Sequence, residues 1–320
     1  MTQSEATAQA AGRQKRPAPD ARDGRVYVTT EDIELAVQVA LVTGRPLLLR
    51  GEPGSGKSSL GAFVASQRRW RYYEHVVTSR TQARDLLWTF DSVRRLADAE
   101  VGARRNVLKD HDYVEPGVLW WVFARQSAPN RGAPDDDPPS RPAIEPNAEL
   151  NKNRSPTDSV MLIDEIDKAD PDMPNGLLVP LGSNEFMVSE TGTTIRPTGT
   201  GQRLIVITTN EERALPQAFL RRCVVLSLPH PDQDQLVRIA GKHLTTYEGK
   251  FTASDEALAR SLADYLIAAR AEAARQARRP PSTAEFLDAL RACRELGITV
   301  GDAKWECLRD LVLIKPQQPG

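Results

Sequence analysis

The scarcities in this sequence close several doors. No apolar run approaches the roughly 18 residues that a membrane-spanning helix needs. Cysteine is rare, with only Cys223, Cys293 and Cys307, far apart and in no metal-ligand spacing. Neither a disulfide framework nor a zinc cluster is therefore expected. The three read as small buried hydrophobes of a reducing compartment. The four histidines, His75, His111, His230 and His243, form no motif. Net charge is −1, so no global basic field argues for nucleic acid. Aromatics are 6% and do not interleave with basic residues as a base-stacking platform would require. The first residues lack the apolar centre of a secretion leader, so a cytoplasmic location is expected. Their Ala, Gln, Pro and mixed charges predict a disordered tail over 1–24.

What is present is ordinary for a globular chain. The 320 residues are 40% hydrophobic and 27% charged, enough for a large core and a second domain. TTEDIELAVQVALVTG carries helix signals: Thr30 as cap, acids in the first turn, and a stripe of Ile33, Ala36, Val37, Ala40 and Leu41, stopped by Gly44. PLLLRG (46–51) is a wholly apolar strand of the kind buried on both faces of a parallel sheet. Further strands are predicted at 72–78, 159–163, 203–209 and 223–228. A hairpin turns at Thr191-Gly192 within 185–197. One helix is predicted through RDLLWTFDSVRRLADA. The proline-rich, polar stretch 124–158 predicts a mobile insertion, with a partner-binding arm as the alternative. After PHPDQ (229–233) the pattern becomes helical. Ser254 with Glu256, and Ser282 with Glu285, mark helix starts. The expected organisation is an α/β domain over 25–229, an all-helical lid over 230–315 and a tail over 316–320.

The chemistry concentrates in two stretches. GEPGSGKS (51–58) matches G-x-x-x-x-G-K-[ST] between a buried strand and a helix. Gly51, Gly54 and Gly56 let backbone N–H groups converge on phosphate oxygens, and the positive end of the helix adds to them. Lys57 would place its ammonium on the β- and γ-phosphates, and Ser58 its hydroxyl on Mg²⁺. Glu52, Pro53, Ser55 and Ser59 complete the candidate nucleotide-contacting stretch. VMLIDEIDKAD (160–170) runs an apolar strand into four acids. Buried carboxylates need a cationic partner. Strand ends of a parallel sheet face a common crevice, so Mg²⁺ carried in with the nucleotide fills that role at Asp164. Glu165 is the natural general base or water orienter. Asp167 and Asp170 are expected to begin a solvated helix. Asn210, at the end of ITTN, could bond the attacking water or the γ-phosphate. Arg221 and Arg222 in LPQAFLRRC are candidates to neutralise phosphate charge on a neighbouring subunit, Arg222 preferred. Tyr27 and Val28, where the chain enters the domain, are the candidate base contacts.

With these residues in hand, the sequence resembles AAA+ ATPases, and among them the MoxR-like group. Walker A is similar to 51–58, Walker B to MLIDEIDKA (161–169), sensor 1 to Asn210 and the arginine finger to FLRRC (219–223). YVEPGVLWW (113–121) and NGLLVPLGSNEFMV (175–188) resemble more specific segments of the group. The resemblance implies a P-loop fold with strand order 5-1-4-3-2 and a helical lid. It implies ATP, rather than GTP, with Mg²⁺. It also implies a ring, expected to be a hexamer, that remodels a protein partner, often one with a von Willebrand factor A domain. Where relatives carry a sensor 2 arginine, this chain has Thr283 and Ala284, with Arg291 a weak substitute. No effector region is read after the lid, so the target is expected on a separate protein. Two alternatives stand beside the motor. One is a nucleotide-dependent switch or scaffold with low turnover. The other is a DNA-directed motor using Arg270, Arg275, Arg278 and Arg279, which a solvated helix end explains equally well.

Overall fold

The computed structural model describes residues 24–101, 108–197, 199–276 and 278–313. Apart from Gly24, which opens a short 3-10 turn, the tails expected at 1–24 and 316–320 lie outside the described residues. Nine strands occur among the described residues: β1 (Leu47–Arg50), β2 (Arg71–Val76), β3 (Trp88–Phe90), β4 (Val114–Pro116), β5 (Ser159–Asp164), β6 (Phe186–Val188), β7 (Thr193–Ile195), β8 (Arg203–Thr209) and β9 (Val224–Ser227). Five form one parallel sheet in the order β2-β5-β8-β1-β9. Counting only those five strands along the chain, this is the expected 5-1-4-3-2 read from the other edge. Every residue of β5 is buried, which is why it reads as a continuous apolar run rather than an alternation.

The chain divides into two compact units. The first comprises residues 30–50 and 60–227 and holds all nine strands. The helix Glu31–Thr43 forms as expected: Thr30 accepts the Ile33 N–H at 3.4 Å, Gly44 closes it at φ +65°, and Ile33, Ala36, Val37 and Ala40 are buried. One sheet face packs Tyr73, Met161, Ile163 and Ile207 with Trp120, Phe123 and Phe186. Trp88 stacks on Phe186 at 5.6 Å between ring centroids, and Trp120 meets it edge-on at 5.7 Å, so the β6–β7 hairpin is anchored by its own aromatic residue. The predicted helix through 84–99 needs correction. A 3-10 turn at Ala83–Leu86 leads into β3, which pairs with β4, and only Ser92–Val101 is helical.

The 124–158 segment, expected as a mobile loop, has fixed partners. Asn151 is fully buried; its Oδ1 accepts the Tyr72 N–H at 2.8 Å and its Nδ2 donates to the Tyr72 carbonyl at 3.2 Å. One side-chain amide thus completes the backbone pairing of edge strand β2. Arg154 donates to the Trp70 carbonyl and the Ser155 N–H to that of Arg69. Glu145 accepts from Arg71 and Tyr73, each at 2.7 Å, and from Arg125 at 3.2 Å. Burial alone would raise the Glu145 carboxyl, but these donors together hold it below its usual range.

The second unit gathers 24–29, Gly51–Ser59 and 228–313, so the glycine loop sorts with the lid. Four helices follow Leu228: Gln233–Glu248, Ala253–Arg275, Thr283–Leu296 and Trp305–Val312. Leu236, Ala240, Leu262, Leu266, Phe286 and Trp305 pack their core. Capping boxes open three helices, at Asp232 with Gln235, Thr252 with Asp255, and Ser282 with Glu285. Each is worth about 1 kcal/mol. The second lies ahead of the expected Ser254. Cys293 is buried in this core, but Cys307 is exposed, against expectation. Cys223, in the sheet unit, is half-buried, with its thiol pushed up to about 12 by burial. Among the described residues no helix is long and apolar enough to cross a membrane.

Candidate functional site

The sheet unit brings three predicted residues together at the carboxyl edge. β5 ends on Asp164, β8 lies beside it, and β1 lies on the other side of β8. All run parallel, so the tip of β5 and the end of β1 that leads into the glycine loop share one edge. Asp164 is 3% exposed, and its Oδ1 accepts the Thr208 hydroxyl at 2.6 Å. Glu165 turns the chain at φ +60°, an uncommon conformation for a side-chain-bearing residue, and its N–H donates to Thr208 Oγ1 at 2.8 Å. Its Oε1 accepts from Asn210 Nδ2 at 3.3 Å and its Oε2 from Lys168 Nζ at 2.6 Å. The Glu165 bond holds the Lys168 ammonium above its ordinary range.

Asp167 does not begin a solvated helix. It is 3% exposed and accepts the backbone N–H of Asn210 at 3.2 Å and of Glu212 at 3.0 Å. It therefore moors the turn after β8 that carries Asn210. Asp170 is exposed, as expected, and accepts the Asp172 N–H. Arg221 and Arg222 are exposed just after the short helix Gln217–Leu220. Arg45 donates to the Arg221 carbonyl at 3.0 Å, and Arg222 donates to that of Ala218 at 3.1 Å. Both guanidiniums stand on a braced turn.

In the lid unit the loop has the conformation its glycines permit. Gly51, Gly54 and Gly56 have φ of +141°, +83° and +90°. A Cβ at Gly51 would strike the Leu228 carbonyl, and one at Gly54 would strike Ser282 at the head of a lid helix. Space as well as torsion excludes side chains there. Lys57 is 5% exposed and donates to the carbonyls of Gly51 at 2.6 Å and Glu52 at 2.8 Å. Ser55 Oγ is buried without a hydrogen-bond partner among the described residues. Tyr27 is buried, its phenol pushed up by burial, and its ring lies 3.5 Å from where a Gly56 Cβ would stand. Its carbonyl accepts from Lys242 at 2.6 Å. Val28 is half-buried.

Two residues of this unit were missed by reading the sequence. Arg270, assigned above to a solvated helix end, is 7% exposed. It donates to the carbonyls of Pro281 at 2.9 Å and Pro231 at 3.3 Å and to Thr283 Oγ1 at 3.4 Å. Burial lowers it to about 10, against the pull of the Glu52 carboxylate. The available signal was the stripe Ala259, Leu262, Ala263, Leu266, Ala273, in which position 270 falls on the buried face. His230 meets Glu52 at 3.0 Å and is held below its ordinary value by burial, then by Arg270, against Glu52. Arg291, the weak lid substitute, is exposed.

The donor sets fit a magnesium nucleotide. Positive-φ glycines, a buried ammonium and an unsatisfied hydroxyl suit phosphate oxygens. Among the described residues no cluster of three His, Cys, Asp or Glu could cage a metal alone. The Ser58 hydroxyl and the Asp164 carboxylate, each within its own unit, are oxygen donors of the kind Mg²⁺ takes.

No curated protein sequence matches the chain significantly. Among solved structures, RuvB of Thermotoga maritima, a Holliday junction branch migration motor, matches at 14% identity and TM-score 0.44, covering 87% of this chain and 65% of that one. A variant of the same protein matches at 14% and 0.47, covering 86% and 66%. A candidate ATPase of Cytophaga hutchinsonii matches at 14% and 0.42, covering 91% and 83%. The chain thus spans about two thirds of the RuvB chains it matches. One family model matches residues 46–223, more than half the chain, from the strand before the glycine loop to the turn carrying the arginine pair. The chain belongs to the AAA domain family, dynein-related subfamily.

Proposed function

We propose that this chain is a Mg²⁺-dependent ATPase of MoxR-like character that works as a ring, a hexamer in expectation, and remodels or regulates a separate protein. Domains of this family generally bind ATP with Mg²⁺ and form rings. One observation carries the reading: Asp164 ends a buried strand, and Glu165 follows it, at the same sheet edge where β1 ends before GEPGSGKS, with the Asn210 amide on the Glu165 carboxylate.

The roles follow from chemistry. Lys57 and the loop N–H groups hold the phosphates. Ser58 and Asp164 are the residues that would hold Mg²⁺, which would supply neutralisation of phosphate charge. Glu165 takes the proton of the attacking water, and Asn210 fixes its orientation. Arg222, or Arg221, serves the site of the next protomer. Tyr27 and Val28 flank the base. A von Willebrand factor A protein is the partner class proposed.

The low-turnover switch is favoured by one specific contact. Lys168 and Asn210 engage the two oxygens of Glu165, so each oxygen already has a protein donor where an attacking water would have to bond. A DNA-directed motor gains nothing from Arg270, which is buried. The test is binding of Mg·ATP by calorimetry together with steady-state hydrolysis across protein concentration. Turnover per chain that rises as rings form supports the motor. Tight binding with negligible turnover selects the switch, and no binding of Mg·ATP overturns both.

A further inference from the structure

Thr208 is the penultimate residue of β8 and is 1% exposed. The last register pair of β5 and β8 is Ile163 with Ile207, so Asp164 and Thr208 are the next residues along both strands. The threonine hydroxyl bonds twice. Its one hydrogen goes to Asp164 Oδ1 at 2.6 Å, and its oxygen accepts the Glu165 N–H at 2.8 Å. We propose that Thr208 is a positioning residue, whose hydroxyl sets the orientation of both the metal-binding Asp164 and the water-activating Glu165. The inference rests on the function proposed above.

The physical case has two parts. A carboxylate turns easily about its last torsion, whose energy profile is broad. A short bond to a charged acceptor, made inside the protein, restricts that rotation and fixes where the second oxygen points. Glu165, for its part, holds a left-handed backbone conformation. A non-glycine residue persists there only when its surroundings overdetermine it. The N–H bond to Thr208 supplies one such restraint and directs the side chain to Asn210. Valine in place of Thr208 keeps the shape and removes both bonds, taking away the acceptor of the Glu165 N–H. A threonine serving stability alone would cost stability on removal but leave the metal dependence unchanged.

The experiment uses the full chain as Thr208→Val and Thr208→Ser, with three readouts. The first is Mn²⁺ binding in the presence of a non-hydrolysable ATP analogue, followed by electron paramagnetic resonance. The second is kcat and KM for Mg·ATP, and the third is hydrogen exchange of the peptide containing Glu165. For T208V the expectation is roughly tenfold weaker Mn²⁺ binding and about a thirtyfold lower kcat, a KM within about threefold, and faster exchange at Glu165. T208S should restore each to within about threefold of the parent. Parent-like Mn²⁺ binding and turnover in T208V overturn the inference, as does a T208S as impaired as T208V. If T208V does not fold, Thr208→Cys carries the test, because a thiol fills the volume but is a weak donor. Parent-like Mn²⁺ binding in that variant then overturns it. A parent that binds no Mn²⁺ with nucleotide removes the proposed function and this inference with it. A parent that hydrolyses while T208V does so equally well removes only the inference.

Discussion

Two regions bury acids, and they do it differently. In the lid, Asp255 and Glu285 sit at the third positions of helix capping boxes, and each also meets an arginine. Arg294 bonds Asp255 at 2.6 Å and pairs with Glu248 as well, while Arg279 bonds Glu285 at 3.1 Å. At the tip of β5, Asp164 takes a hydroxyl and Asp167 two peptide N–H groups, while Glu165 stays about a quarter exposed between Asn210 and Lys168. The lid arrangement ties helices together. The tip arrangement aims carboxylates at an edge. Removing a lid arginine should therefore cost stability, and altering the tip should cost turnover.

The largest effect that would sharpen this contrast comes from outside both regions. Arg222→Ala should lower turnover by about 10³ or more while sparing nucleotide binding and melting temperature, as removal of a trans arginine does. If Arg221→Ala does this instead, the other arginine of the turn is the acting one. Glu165→Gln should reduce turnover by about 10²–10³ and leave bound ATP trapped, with stability unchanged. Unaltered hydrolysis in that variant would break the assignment of the tip. In the lid, Arg294→Ala should cost about 3 kcal/mol in chemical denaturation, since it removes the cation shared by the buried Asp255 and the half-buried Glu248. Hydrolysis per folded chain, measured well below the melting point, should survive it.

Asn151→Ala should cost about 1–3 kcal/mol, because it removes the acceptor of the Tyr72 N–H and the nearer of two amide donors to the Tyr72 carbonyl. The smallest effect is acid sensitivity of the lid. Burial alone would raise the Asp255 carboxyl, but the Thr252 N–H and hydroxyl, with Arg294, hold it below its ordinary value of 3.8. A depressed carboxyl stabilises the fold above its unfolded value and loses that contribution as pH falls through its folded one. Hydrogen exchange in 253–296 should therefore accelerate below about pH 4 in the parent, and Arg294→Ala should move that onset to higher pH.

Much of this was legible because the signals are local. A glycine loop between an apolar strand and a helix needs no distant information, nor do the capping box at Ser282 or the hairpin at Thr191-Gly192. The strand order followed from the family resemblance rather than from any pattern in the strands. What escaped depends on distant partners. Glu145 and Asn151 look like solvated loop residues until β2 is placed beside them. Asp167 looks like the start of an exposed helix until the turn after β8 donates its N–H groups. Thr208 is an ordinary strand residue until register sets it against Asp164. β3 is three residues long and pairs only with β4, too short a segment for periodicity to separate from the helix that follows.

The amide of Asn151 has a last consequence. An edge strand with open peptide groups invites strands from other molecules, by docking or by aggregation. Here the rim of the sheet from Arg69 to Tyr72 is already saturated by the chain's own side chains and backbone. A foreign strand cannot be recruited along that stretch without first evicting residues 151–155, so any protein that approaches there has to be recognised through side chains alone.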